Sequence, residues 1–410
     1  MELPLLSIRS LRSRRSSLFL TLVPVAFTAV LAVSSEARFL LRAGSEEAGI
    51  LLRRRPIAEV VADERTRPEL REQLELVLAA RGFAAERLGL AAGDTYTTFS
   101  DVGPGTTLLH VVSASPPDRL EAYRWSYPIV GSVPYKGFFA EKDARAEERR
   151  LARLGYDTYV RPAGAFSTLG WLPDPLLSTA LDGDNAELVA TVIHEIAHNT
   201  LWVRGDARFN ESYANFVGYR GAEAFFAERG DLTTAKRCAA TWRDEKRLAA
   251  FYTALEAELS RLYSSSLSGP ALEERRLDVF ARARETMAGP LGRTLEVYDG
   301  KRLGRRPMNN AWLIAHQTYS TGLDELDRIY EIENRDLRAG VRQIVHSIRR
   351  HSSLRPMQAL ALTLQARGPL AIPARQTLRQ GGSEGESRDR VKDSSLVFRL
   401  VMGQKGGTAP

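Results

Sequence analysis

The most constraining stretch of this 410-residue chain is His194-Glu195-Ile196-Ala197-His198. Two histidines four residues apart lie on one face of a helix, a single turn from each other, so both imidazoles can grip one metal ion. In a strand the same two side chains would stand about 13 Å apart, beyond the reach of a shared ion. Glu195 is rotated by one residue from the first histidine, which sets its carboxylate beside the ion, in position to take a proton from a bound water. The flanks agree with a helix. Asp184 and Glu187 have the spacing of a capping box, and Leu188, Val189, Val192, Ile193 and Ala197 form an apolar face. Zinc is the ion this pattern selects. The competing reading is a core helix whose histidines only hydrogen-bond to their surroundings.

A zinc site that keeps a position open for water needs a third protein ligand. Metzincins place a third histidine six residues after the second, but that position here is Arg204. A Gly205-Asp206 turn instead leads into a second helix from Phe209, with Glu211 in its first turn. Ala214 and Gly218 follow at the spacing that lets two helices pack closely. Glu211 would complete a His₂Glu set, as in gluzincins. Its alternative role is that of a carboxylate favoured by a helix N-terminus.

Cys238 is the single cysteine, which excludes an intramolecular disulfide, a cysteine-based zinc knuckle and an iron–sulfur cluster. The net charge of +7 raises nucleic acid as a partner. Much of it, however, sits at the N-terminus, where Arg9, Arg12, Arg14 and Arg15 oppose only Glu2. What remains is too dilute for a basic field, so nucleic acid is not expected. The uncharged run Leu18–Val33 follows those arginines. A basic region before an apolar one is the pattern of an export signal or a retained anchor. Either way the C-terminal body is expected on the periplasmic side, tied to the membrane if the segment is not cleaved.

The expected organisation is residues 1–36 as signal or anchor, 37–375 as one catalytic domain and 376–410 as a disordered tail. The tail is rich in Gly, Ser and charge. Residues 38–54 and 67–81 carry helical periodicity. Strand-like segments follow at 97–100, 108–114, 123–130 and 156–161, within a β-containing part of about 90–175. Helical patterns then run over 185–203, 209–228, 234–264, 271–287, 308–331 and 335–350, a helical part of 185–350. The class is α+β, predominantly helical.

The stretch HEIAHNTLWVRGDARFNESYANFVG resembles the signature of the bacterial putative aminopeptidase family, exported zinc peptidases of gluzincin type. Three further blocks are similar to that family: Trp125–Gly131 with Pro134–Phe139, Ala165–Trp171 with Asp174-Pro175, and Asn309-Asn310-Ala311 with Tyr319. Together they span roughly residues 38–350. Two departures stand out. Many members are lipoproteins with an N-terminal cysteine, and Ser126 and Ser132 occupy positions where many relatives have cysteines.

The resemblance implies a zincin-like zinc peptidase with a small β region before the zinc helix. Its metal ligands would be His194, His198 and Glu211, with Glu195 as the general base. Peptides would be the substrates, and N-terminal residues would be removed. An endopeptidase of the cell envelope and a non-catalytic tethered scaffold are the alternatives. Ser167, Thr168 and Leu169 would lie on an edge strand that pairs with the substrate backbone, or in an ordinary buried turn. Tyr319 is the candidate oxyanion donor, with His316 one turn before it as the rival.

Overall fold

The computed structural model describes residues 48–103, 109–127, 131–163 and 175–367. The chain divides into Met1–Arg53 and Arg54–Pro410, and the elements from Arg55 onward belong to the second unit. Leu18–Val33, Ala165–Trp171 with Ser167, Thr168 and Leu169, and the tail from 376 lie outside the described residues.

The first strand, β1 (Arg55–Pro56), leads directly into α1 (Ile57–Ala62), and α2 (Pro68–Glu86) follows with proline in its first turn. Strands β2 (Thr98–Ser100) and β3 (Leu109–Ser115) come next, then β4 (Trp125–Tyr127), β5 (Gly131–Val133) and β6 (Lys136–Phe138). Helix α3 (Glu141–Arg153) precedes β7 (Asp157–Ala163), and β8 (Leu176–Leu177) completes the strands among the described residues.

These strands make three small sheets, ordered β1-β2-β8, β6-β3-β7 and β4-β5. The middle one is antiparallel, with β7 at an edge and the register Val111↔Arg161, Ser113↔Tyr159, Ser115↔Asp157. In the hairpin β4-β5, Ser126 stands directly opposite Ser132.

The rest is helical: α4 (Asn185–Thr200), α5 (Ala207–Glu228), α6 (Leu232–Tyr263), α7 (Gly269–Thr286), the short α8 (Gly300–Gly304), α9 (Asn310–Gln317), α10 (Leu323–Ile332), α11 (Leu337–Arg350) and α12 (Pro356–Ala366). The α+β, mainly helical class expected from the periodicity holds. Three details differ. The 308–331 pattern is not one helix, because Gly322 adopts φ +69 and separates α9 from α10. The charged helix α3 and the helix α12 were not anticipated, since α3 buries only Ala144 and Leu151 along its apolar side. Helix α5 starts at Ala207 rather than Phe209, so Glu211 lies one turn inside it.

Two apolar clusters hold the unit together. The larger is centred on α4 and α5, with Leu188, Val192, Ile193, Phe216 and Trp242 among its members. The smaller gathers Leu255, Leu259, Phe280, Trp312 and Leu313. Helix α6 contributes to both, through Trp242 at one end and Leu248–Leu259 at the other. Among the described residues no helix is long and apolar enough to cross a membrane.

Candidate metal centre

Helices α4 and α5 form an antiparallel hairpin, and each is started by an aspartate. The Asp184 carboxylate accepts from the Glu187 N–H at 3.0 Å, and Asp206 accepts from the Phe209 N–H at 3.0 Å. Both contacts satisfy amides that a helix start leaves without partners. The connection between them is fixed by Asn210. Its side chain accepts from the Val203 N–H and donates to the Val203 carbonyl, each at 2.8 Å. Gly205, at φ +82, supplies the left-handed residue that the turn requires.

Close approach of the two helices depends on glycine. A Cβ on Gly218 would lie 2.6 Å from the Ala190 carbonyl oxygen and 3.1 Å from the His194 Cβ. One on Gly221 would lie 2.9 Å from Ile193 Cγ2. This contact, two turns along α5 from Glu211, brings the carboxylate against the histidine face of α4.

His194 Nε2 and His198 Nε2 are 3.2 Å apart. Glu211 reaches them from α5, with Oε2 at 3.4 Å from His194 Nε2 and Oε1 at 3.8 Å from His198 Nε2. All three residues are buried, and one ligand atom from each falls within 4.8 Å of the others. Such a cluster of lone pairs, shielded from water, is a place that could hold a metal ion. Between Leu188 and His198 only Glu195 is not buried. Its side chain is 21% exposed, and its carboxylate lies 4.0 Å from His194 Nε2. The ligand face is closed and the carboxylate beside it is open.

Tyr319 is buried and sits in the break between α9 and α10. Its carbonyl accepts from Asn215 Nδ2 at 3.0 Å, and the Thr321 N–H donates to Ser212 Oγ at 2.9 Å. The segment therefore docks on α5 one turn beyond Glu211. His316, one turn earlier, packs among aromatic rings. Its Nδ1 is 2.7 Å from the Trp312 carbonyl, and its ring meets Tyr159 and Tyr252 at 5.6 and 5.4 Å.

The Asn309-Asn310 block serves to join the sheet to α9. Asn309 caps α9 by accepting from Trp312 and donates to the Thr158 carbonyl. The Asn310 N–H donates to Asp157 at 3.0 Å. Ser212, Asn215 and Asn210 position this part of the site, a role that no motif in the sequence assigns them. Their only signal in the sequence is polarity among the apolar residues of the run Phe209–Gly218. Cys238 is buried in α6, and burial pushes its thiol up to about 12, as befits an inert apolar filler.

No curated protein and no solved structure matches the chain. A family model described as putative aminopeptidase matches residues 38–358, most of the chain, and the protein belongs to that family.

Proposed function

We propose that the protein is an exported zinc peptidase of gluzincin type that removes N-terminal residues from peptides. The observation that carries this reading is the convergence of His194, His198 and Glu211 on one buried point beside the open carboxylate of Glu195. Ligand bonds of about 2.0–2.1 Å in a tetrahedron imply ligand atoms roughly 3.4 Å apart. His194 Nε2 stands near that spacing from both His198 Nε2 (3.2 Å) and Glu211 Oε2 (3.4 Å), and the second Glu211 oxygen lies 3.8 Å from His198 Nε2. Two imidazoles and one carboxylate are also a donor set that suits zinc and leaves one position open.

Zinc, when bound, would polarise a peptide carbonyl and make a water nucleophilic near neutral pH. The chain's own residues supply the rest. Glu195 takes the proton of the attacking water and delivers it to the departing amine. Its exposure lets it reach both, whereas the buried Glu211 is committed to the ligand set. Tyr319 is the proposed hydrogen-bond donor to the developing oxyanion, held on α5 by Asn215. Ser167, Thr168 and Leu169, a few residues beyond β7 in sequence, are proposed to pair with the substrate backbone. Leu18–Val33 is proposed to carry the body across the inner membrane.

The family membership supports aminopeptidase over endopeptidase. An amino-acid anilide and its N-acetylated twin test the choice. Faster cleavage of the free amine agrees with the proposal, and equal or better cleavage of the blocked substrate makes the protein an endopeptidase.

A further inference from the structure

Arg161 on β7 is only 6% exposed, yet neither its Nε nor its Nη2 has a hydrogen-bond partner. It forms no ion pair among the described residues. A buried guanidinium without an anion is strongly disfavoured, and a ligand that supplied one would relieve that cost.

Its position gives that ligand an address. Asp157, Tyr159 and Arg161 alternate onto one face of β7, with Val111, Ser113 and Ser115 beside them on β3. That face packs against α9. Asp157 meets the Asn310 N–H at the start of the helix, and the Tyr159 ring meets His316 in its last turn. Strand and helix thus run in the same direction. Arg161 stands two residues, about 6.6 Å, further along the same face, and the chain leaving the C-terminal end of α9 runs through Tyr319 and Thr321. Those residues dock on Asn215 and Ser212, the latter adjacent to Glu211.

We infer that Arg161 is a substrate-recognition residue that receives a carboxylate of the bound peptide. The inference rests on the peptidase reading of the metal centre and narrows it to peptides that present an anion there. Two parallel N–H groups of a guanidinium match a carboxylate in a way no amide can. The carboxylate is either the C-terminus of a short peptide or an acidic side chain.

The test uses the full-length protein carrying Glu195→Gln to stop turnover, with peptide binding read by calorimetry. Three tripeptides are compared: a free acid, its C-terminal amide, and an amide with glutamate in place of an uncharged residue. A charge-assisted pair should make a carboxylate-bearing peptide bind about 10–100-fold tighter than the plain amide. Tight binding of the free acid identifies the C-terminus, and tight binding of the glutamyl amide identifies the side chain. Adding Arg161→Gln should collapse the preference, and Arg161→Lys should restore part of it. A structural role would instead weaken all three peptides alike.

Equal binding of all three peptides, or a preference that survives Arg161→Gln, overturns the inference. Hydrolysis by the wild-type protein is followed in parallel. Equal cleavage of acid and amide leaves the peptidase reading standing and removes the role of Arg161. Arg161-dependent binding without any cleavage does the reverse.

Discussion

Gly218 of α5 faces His194 of α4 so closely that a methyl group there would lie 3.1 Å from the histidine Cβ and 2.6 Å from the Ala190 carbonyl oxygen. The absence of a side chain at one position of α5 thereby sets how near Glu211 comes to the two imidazoles.

Gly218→Ala should force the hairpin apart. Overpacking of this kind costs roughly 1–3 kcal/mol, and thermal or urea unfolding would measure it. Weaker metal retention should accompany the loss, because Glu211 moves with α5. An alanine variant as stable and as metal-rich as wild type would mean that the helix contact does not position the site.

Metal content checks the ligand set itself. Purified protein should carry about one zinc per chain, and His198→Ala or Glu211→Gln should lose it. Removal with a chelator should abolish peptide hydrolysis, and zinc should restore it. A chain that folds normally without metal in zinc-containing buffer would contradict the assignment.

Much of this was legible in the sequence. The four-residue spacing of His194 and His198 and the Asp184 cap mark α4 because helix geometry and capping are local. Glu211 was legible only as a carboxylate at the right distance along the chain. Gly218, two turns further on, hinted at why the helices meet. The break at Gly322 was missed because the apolar periodicity of 308–331 continues through it. What interrupts the helix is a left-handed glycine and the docking of Tyr319 and Thr321 on Asn215 and Ser212, contacts about a hundred residues apart in sequence. Helix α3 was missed for another reason. Only Ala144, Ala146, Leu151 and Ala152 are apolar in it, so its narrow apolar side left periodicity little to register.

Acid should act through Asp327, which is buried and bonded to Arg220, Lys246 and the Trp242 indole. Burial alone would raise its pKa, but Arg220 and Lys246 outweigh that and hold it below the usual carboxylate range. The folded form therefore gains stability from Asp327 above the ordinary carboxylate value of about 4, and loses it as the pH falls through the depressed folded value. Asp327→Asn leaves Arg220 with Glu223 alone and Lys246 with the more distant Asp324, and should cost at most roughly 3–5 kcal/mol. It should also flatten the acid side of the stability–pH profile, and an unchanged acid side would assign acid sensitivity to other groups.

Export is checked with a C-terminal reporter active only in the periplasm. The fusion should be active, and replacing the arginines at 9, 12, 14 and 15 should reduce that activity. A silent but intact fusion found in the cytoplasm would contradict the proposed location.

The central claim is that Glu195 moves the proton while His194, His198 and Glu211 hold the metal. Glu195→Gln keeps the shape of the side chain and leaves the ligands in place. Loss of a positioned proton-transfer group typically costs about 10²–10⁴-fold. The measurement is turnover of the best peptide substrate by Glu195→Gln, alongside its zinc content. The account predicts a fall in kcat of at least that size with zinc unchanged. Near-wild-type turnover by a variant with full zinc would contradict it.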